Sequence, residues 1–194
     1  MRRIDVREER FFENKKQFDK NIRQSQSKFY WAVEIPSKHH DFMTYEKIRN
    51  KKVLEIGCSN GSAAAEYSKY FDSYLGIDIS DMAIKKAKSL KIKNSKFICT
   101  DAHLLPIENN KFDCVIVNSL LHHLDLAKSL SEINRVLKKD GYLIFREPLG
   151  TNPFFQFYRK LTPTQRTPHE KPFDFTDIKI MKSYFYFENI RYFG

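Results

Sequence analysis

From Lys52 onward the chain alternates short, unbroken apolar runs with stretches in which apolar residues recur every three or four positions. Val53 to Cys58 (VLEIGC) reads as a buried strand, Ser59-Asn60-Gly61 as a turn, and Ser62 to Phe71 as a helix. Tyr74 to Ile79 gives a second strand, after which Ser80 stands as the N-cap of a helix over 81–91. Lys96 to Asp101 and Cys114 to Ser119 supply the third and fourth strands. A helix follows through 126–139, closed by Gly141, and Tyr142 to Glu147 is the fifth strand. Continuously apolar strands separated by helices belong to a parallel sheet covered on both faces. Right-handed crossovers then make it a doubly wound α/β sheet in three layers.

The flanks read differently. Before residue 49, Phe11, Phe12, Phe18 and Ile22 suggest one amphipathic face, and Phe29 to Ile35 a second short element ended by Pro36. After Pro148, residues 150–175 hold most of the prolines and several aromatics, the texture of an irregular segment. A last helix is expected from Thr176 as cap, and 188–194 resembles the start of a further strand. The chain therefore divides into an N-terminal helical segment (1–48), a core (49–150), and a C-terminal loop, helix and edge strand (151–194).

Composition narrows the class. Hydrophobic residues at 41% and charged residues at 30% are ordinary for a soluble domain. No apolar run is long enough to span a bilayer, and the charged N-terminus lacks the apolar stretch of a secretory signal. Cys58, Cys99 and Cys114 are odd in number and match no zinc or redox spacing, which points to a reduced, cytoplasmic protein. The net charge of +10 is spread along the chain rather than gathered in a block. It favours a solvated lysine-rich surface over a nucleic-acid partner.

The chemistry gathers at strand ends. A doubly wound sheet binds ligands beyond the carboxyl ends of its strands. Gly57 and Gly61 let the first turn bend sharply and let the next helix approach closely. Asp78 ends the second strand, where a carboxylate accepts from both hydroxyls of a ribose. Asp101 ends the third, where one can accept from an exocyclic amine. Each alone also fits an ordinary turn or helix cap; together they describe a nucleoside pocket.

VLEIGCSNG, GIDIS, CTDAHLLPIENNKFDCVIV, SLLHHL and RVLKKDGYLIFREP resemble the class I S-adenosylmethionine-dependent methyltransferases, most closely the small-molecule branch that includes quinone-ring methyltransferases. The resemblance covers roughly residues 50 to 150 and implies a Rossmann-like, mostly parallel sheet binding S-adenosyl-L-methionine. It implies that Glu55, Gly57, Cys58, Ser59 and Gly61 surround the methionine end, and that Asn118 lines the same side. Asp78 would hold the ribose, Ile79 would pack on the adenine, Asp101 would meet its amino group, and the Ala102 backbone would lie beside the ring. Ser59 stands where the family usually has glycine, which is tolerable if its φ stays negative. Phe112 and Asp113 read as structural. The family's sheet ends in two antiparallel strands, and this chain stops at Gly194 after the penultimate one. It is thus expected to be a shortened member or an incomplete copy, with Tyr184 to Phe187 and Tyr192-Phe193 forming an exposed apolar edge that promotes self-association.

In such enzymes a base is needed only when the acceptor must lose a proton. His122, His123, Glu147 and His169 are candidates, with His122 and Glu147 the better placed. The alternative is that the histidines are structural and that Glu147 pairs with Arg146. No metal-ligand spacing is present. The acceptor side, 1–48 and 149–175, is rich in Phe and Tyr and includes Trp31, which suits a planar or apolar small molecule unless those rings are core. Competing functional readings are a nicotinamide-dependent oxidoreductase and a non-catalytic S-adenosylmethionine- or RNA-binding module.

Overall fold

The computed structural model describes residues 43–147, 149–150 and 173–188. The readings placed on 1–42, 151–172 and 189–194, including those of Trp31, His169 and Tyr192-Phe193, lie outside the described residues. Five strands form one sheet: β1 (Lys52–Ile56), β2 (Ser73–Asp78), β3 (Ser95–Cys99), β4 (Phe112–Asn118) and β5 (Leu137–Arg146). Their order is β3-β2-β1-β4-β5, and every pairing is parallel. The chain therefore winds outward from β1 through β2 and β3, then returns to build β4 and β5 on the other side. The reversal lies between β1 and β4, where such sheets open a crevice.

Period-two alternation on β1 assigns the two faces. Leu54 and Ile56 pack with Val115, Val117, and Leu130 and Ile133 of α3 (Leu126–Val136). Met181 of α4 (Phe175–Lys182) joins that layer. Val53 and Cys58 face the opposite layer, with Ala64 and Tyr67 of α1 (Ser62–Tyr67) and Ile84 and Ala87 of α2 (Asp81–Ser89). Helical residues 43–48 contribute Ile48 to this second layer. Each fully buried Leu, Ile or Val contributes about 1.5–3 kcal/mol, so the two layers carry the domain's stability.

Several boundaries differ from the sequence reading. α1 stops at Tyr67 because the chain tightens into turns, with Ser68 Oγ donating to Ala65 O at 2.8 Å and Tyr70 N to Tyr67 O at 2.9 Å. α3 ends at Val136 rather than running to Gly141: Leu137 turns extended and pairs with Phe112, opening β5. The register of β4 and β5 then shifts before Cys114 meets Tyr142. α4 is capped by Asp174, not Thr176. The Asp174 carboxylate accepts from Thr176 N at 2.7 Å and Asp177 N at 3.1 Å, and Asp177 Oδ2 accepts from Asp174 N at 2.8 Å. This reciprocal arrangement satisfies donors at the helix start that a Thr176 cap would leave out. Past α4, Tyr184, Phe185 and Phe187 pack on the core, Phe187 edge-on to Phe145, and among the described residues of the expected apolar edge only Tyr186 stands exposed.

Ser80 caps α2 as read from the sequence, its hydroxyl accepting from Ala83 N at 3.2 Å. Asp113 is structural, at the amino rim of the sheet. It accepts from Lys52 N at 2.8 Å and from Lys138 Nζ at 2.7 Å.

Candidate functional site

The turn after β1 crosses the rim on left-handed backbone. Gly57 has φ +80° and Gly61 +77°. A Cβ on Gly61 would lie 2.9 Å from Ala87 Cβ, so glycine there lets α1 lie against α2. Ser59 has φ +48°, so the negative φ under which serine is easily tolerated here is not met. Its backbone is locked: Ser59 N donates to Asp78 Oδ2 at 2.8 Å, and Ser80 N donates to Asp78 Oδ1 at 2.9 Å. Gly57 N and Cys58 N both donate to Ile77 O, at 2.8 and 2.9 Å. The turn is thereby tied to the end of β2, and the plane of the Asp78 carboxylate is set by the same bonds.

Two residues expected around the methionine end lie beneath the turn. Glu55 is buried on β1 and accepts from the Tyr74 hydroxyl. Burial pushes its carboxyl up to about 7, the Tyr74 bond opposes this, and the Asp78 charge adds to it. The Cys58 thiol faces Gly76, where a Cβ would sit 2.8 Å from Sγ. Burial, with the Glu55 and Asp78 charges, raises that thiol far above its ordinary value. The Cys58 side chain is buried.

The end of β3 is joined to the same rim. Thr100 N donates to Asp78 O at 3.0 Å, which brings Asp101 to the segment after β2. Asp101 Oδ1 accepts from His103 N at 2.8 Å and lies 2.7 Å from His103 Nδ1. Ala102 is buried against the core, and Ile79 is half-buried on the neighbouring segment. The loop that follows is clamped from α3. Arg135 donates to Leu105 O, Ile107 O and Asn109 Oδ1 at 3.0, 2.6 and 2.8 Å. Glu132 accepts from Leu105 N at 2.7 Å and pairs with both ends of the Arg135 fork. Sequence reading missed this clamp and His103. The i,i+3 spacing of Glu132 and Arg135 was visible, but their main-chain partners carry no sequence signal.

Across the crevice, β4 ends at Asn118, whose Oδ1 is buried without a hydrogen-bond partner among the described residues. A buried acceptor of this kind asks for a donor. Just beyond β5, Glu147 Oε1 accepts from Leu120 N at 2.9 Å and Leu121 N at 2.8 Å, and Oε2 lies 2.6 Å from His122 Nδ1. Both side chains are nearly enclosed, His122 at 6% and Glu147 at 2% exposure. Glu147 pairs with His122 rather than Arg146 and is fully engaged. His123 packs at a tilt against His122, with 4.0 Å between ring centroids.

Residues 54–145 match the methyltransferase-domain family. The match spans just under half of the chain. The YcgJ methyltransferase of Bacillus subtilis is 32% identical over 95 residues, 46% of this chain and 38% of that protein. Its crystal structure superposes with a TM-score of 0.66, covering 75% of this chain and 67% of that one at 24% identity. A phthiotriol/phenolphthiotriol dimycocerosates methyltransferase of Mycobacterium ulcerans is 29% identical over 118 residues, 59% of this chain and 44% of the relative. The chain thus spans less than half the length of these curated relatives. One rim of the sheet thus gathers two carboxylates, a left-handed turn and, at Asn118, a buried acceptor without a partner among the described residues.

Proposed function

We propose that this protein transfers a methyl group from S-adenosylmethionine to a small-molecule acceptor, with His122 as general base. The observation that carries the reading is the meeting of the 57–61 turn, Asp78 and Asp101 on one rim of the sheet, along adjacent strands. In this reading Asp78 accepts from the ribose hydroxyls, and Ile79 and the Ala102 backbone enclose the adenine. Asp101 accepts from its amino group, Asn118 from the methionine ammonium, and the backbone of Gly57, Cys58, Ser59 and Gly61 lines the methionine end. Glu55 acts from below, holding β1 and β2 through Tyr74. The cofactor supplies a methyl already activated on sulfur, so the protein's tasks are positioning and the exclusion of water.

Glu147 is a positioning residue in this scheme. Its buried carboxylate accepts from His122 Nδ1, which leaves Nε2 as the basic nitrogen. Such a pair serves an acceptor that must lose a proton, an oxygen or nitrogen nucleophile. A planar or apolar acceptor is supported by the Phe and Tyr content of the flanks and by the name of the mycobacterial relative. Three free thiols support a reducing compartment, and no helix among the described residues is long and apolar enough to cross a membrane.

Calorimetry with S-adenosylmethionine, S-adenosylhomocysteine and NAD tests the reading. The two sulfur nucleosides should bind and NAD should not, and Asp78→Ala should weaken nucleoside affinity by about 1–3 kcal/mol. With phenolic acceptors as probes, His122→Gln should lower kcat by about 100-fold and leave cofactor affinity unchanged. Unaltered nucleoside binding in Asp78→Ala refutes the ribose assignment and, with it, the cofactor site.

A further inference from the structure

We infer that His103 is a positioning residue that aims the Asp101 carboxylate at the exocyclic amine of the adenine, and so sets the preference for an aminopurine over an oxopurine. The inference rests on Asp101 being the adenine contact. Its own support is a bridge that runs through one imidazole ring. On one side, His103 Nδ1 lies 2.7 Å from Asp101 Oδ1; on the other, His103 Nε2 accepts from Asp125 N at 3.0 Å. Because Nε2 must be the acceptor for a backbone N–H, the neutral ring carries its proton on Nδ1 and donates it to Asp101. A single tautomer satisfies both contacts.

The two ends of this bridge matter. Asp125 is the N-cap of α3, its side chain accepting from Lys128 N at 3.3 Å. The bridge therefore ties Asp101, just past β3, to a helix whose N-cap lies 22 positions beyond His103. Asp101 Oδ1 takes two donors, His103 N and the ring, which fixes the carboxylate plane. Oδ2 has no such contact among the described residues, and the Asp101 side chain is 33% exposed, with His103 at 17%. An oriented carboxylate oxygen with no proton of its own accepts from an amine and repels a carbonyl oxygen. A carboxylate free to rotate would discriminate less. The sequence reading gave Asp101 this contact and gave His103 no role.

The test compares S-adenosylhomocysteine with its inosine counterpart, in which the amine is a carbonyl, by calorimetry on the full chain. Wild type should favour the amine. His103→Ala should weaken S-adenosylhomocysteine binding by about five- to tenfold, a hydrogen bond's worth, and leave the inosine counterpart nearly unchanged, so that the preference collapses. His103→Asn, whose amide can donate at the Nδ1 position, should restore most of the preference. His103→Gln, which can accept from Asp125 N without reaching Asp101, should not. A loss of affinity for both nucleosides in equal measure, in variants that melt like wild type, would mean that His103 only supports the loop, and overturns the inference. Asp101→Asn separates the two levels. If it leaves the preference intact, Asp101 does not meet the base and the adenine assignment falls as well. If it abolishes the preference while His103→Ala does not, only the role of His103 falls.

Discussion

Ser59 shows how a single residue carries strain at the turn after β1. Left-handed backbone costs an L-residue about 1–2 kcal/mol, and Ser59 occupies it with φ +48°. The bond from Ser59 N to Asp78 at 2.8 Å holds it there. Glycine would keep that backbone bond and shed the strain, less its greater freedom when unfolded. Ser59→Gly should therefore raise stability by roughly 0.5–1 kcal/mol, read as a higher urea midpoint at unchanged slope. A lower midpoint would show that the serine side chain supplies something the main chain does not. His122 and Glu147 make the complementary point: two ordinary residues become a unit only because the fold encloses them 2.6 Å apart.

Among the elements, α3 does more than cover the sheet. Its inward residues Leu130, Ile133 and Val136 fill the core, its N-cap Asp125 receives the His103 bridge, and Glu132 and Arg135 grip the loop after β3. One helix thus holds the loop that presents Asp101. The planar fork of Arg135 reaches two carbonyls and an amide oxygen at once, which an ammonium cannot reproduce. Arg135→Lys should cost about 1.5–3 kcal/mol of stability. It should also speed amide hydrogen exchange at Leu104, Leu105 and Ile107 while leaving β1 and β4 protected. Uniform loss of protection across the sheet would argue against a local clamp.

At the scale of the whole molecule, folding is coupled to protons in two opposite senses. Arg135 holds Glu132 below its ordinary value, aided by Leu105 N. Asp113 and Asp125 are also lowered; burial opposes this, but Lys138 and Lys128 outweigh it. Stability from these three is present above their unfolded values and is lost as pH falls through the lowered ones. Glu55 runs the other way. Its carboxyl is raised from 4.5 to about 7, chiefly by burial, so its contribution is full below 4.5 and is lost as pH rises through about 7. Stability should peak near about pH 5 and decline toward pH 8 by up to roughly 3 kcal/mol. Glu55→Gln should remove that decline while keeping a partner for Tyr74. Thermal melts from pH 4 to 8 check this, and a decline that persists in the variant would assign it to another group.

The sequence by itself determined the alternation of strands and helices, the parallel doubly wound sheet, and the rim positions of Gly57, Gly61, Asp78 and Asp101. These are local quantities: apolar run length, glycine placement, and carboxylates at strand ends. It misplaced the end of α3 because Leu137 is as compatible with helix as with strand, and only pairing with Phe112 makes it extended. It set the cap of α4 at Thr176 because capping depends on which side chain can reach the free amides, here Asp174. Tertiary structure alone decided that Glu55 and Cys58 lie under the turn, that Glu147 faces His122, and that His103 joins Asp101 to α3. Each of those contacts links residues that the chain holds apart, and closing such distances depends on the packing of the whole sheet rather than on any one segment.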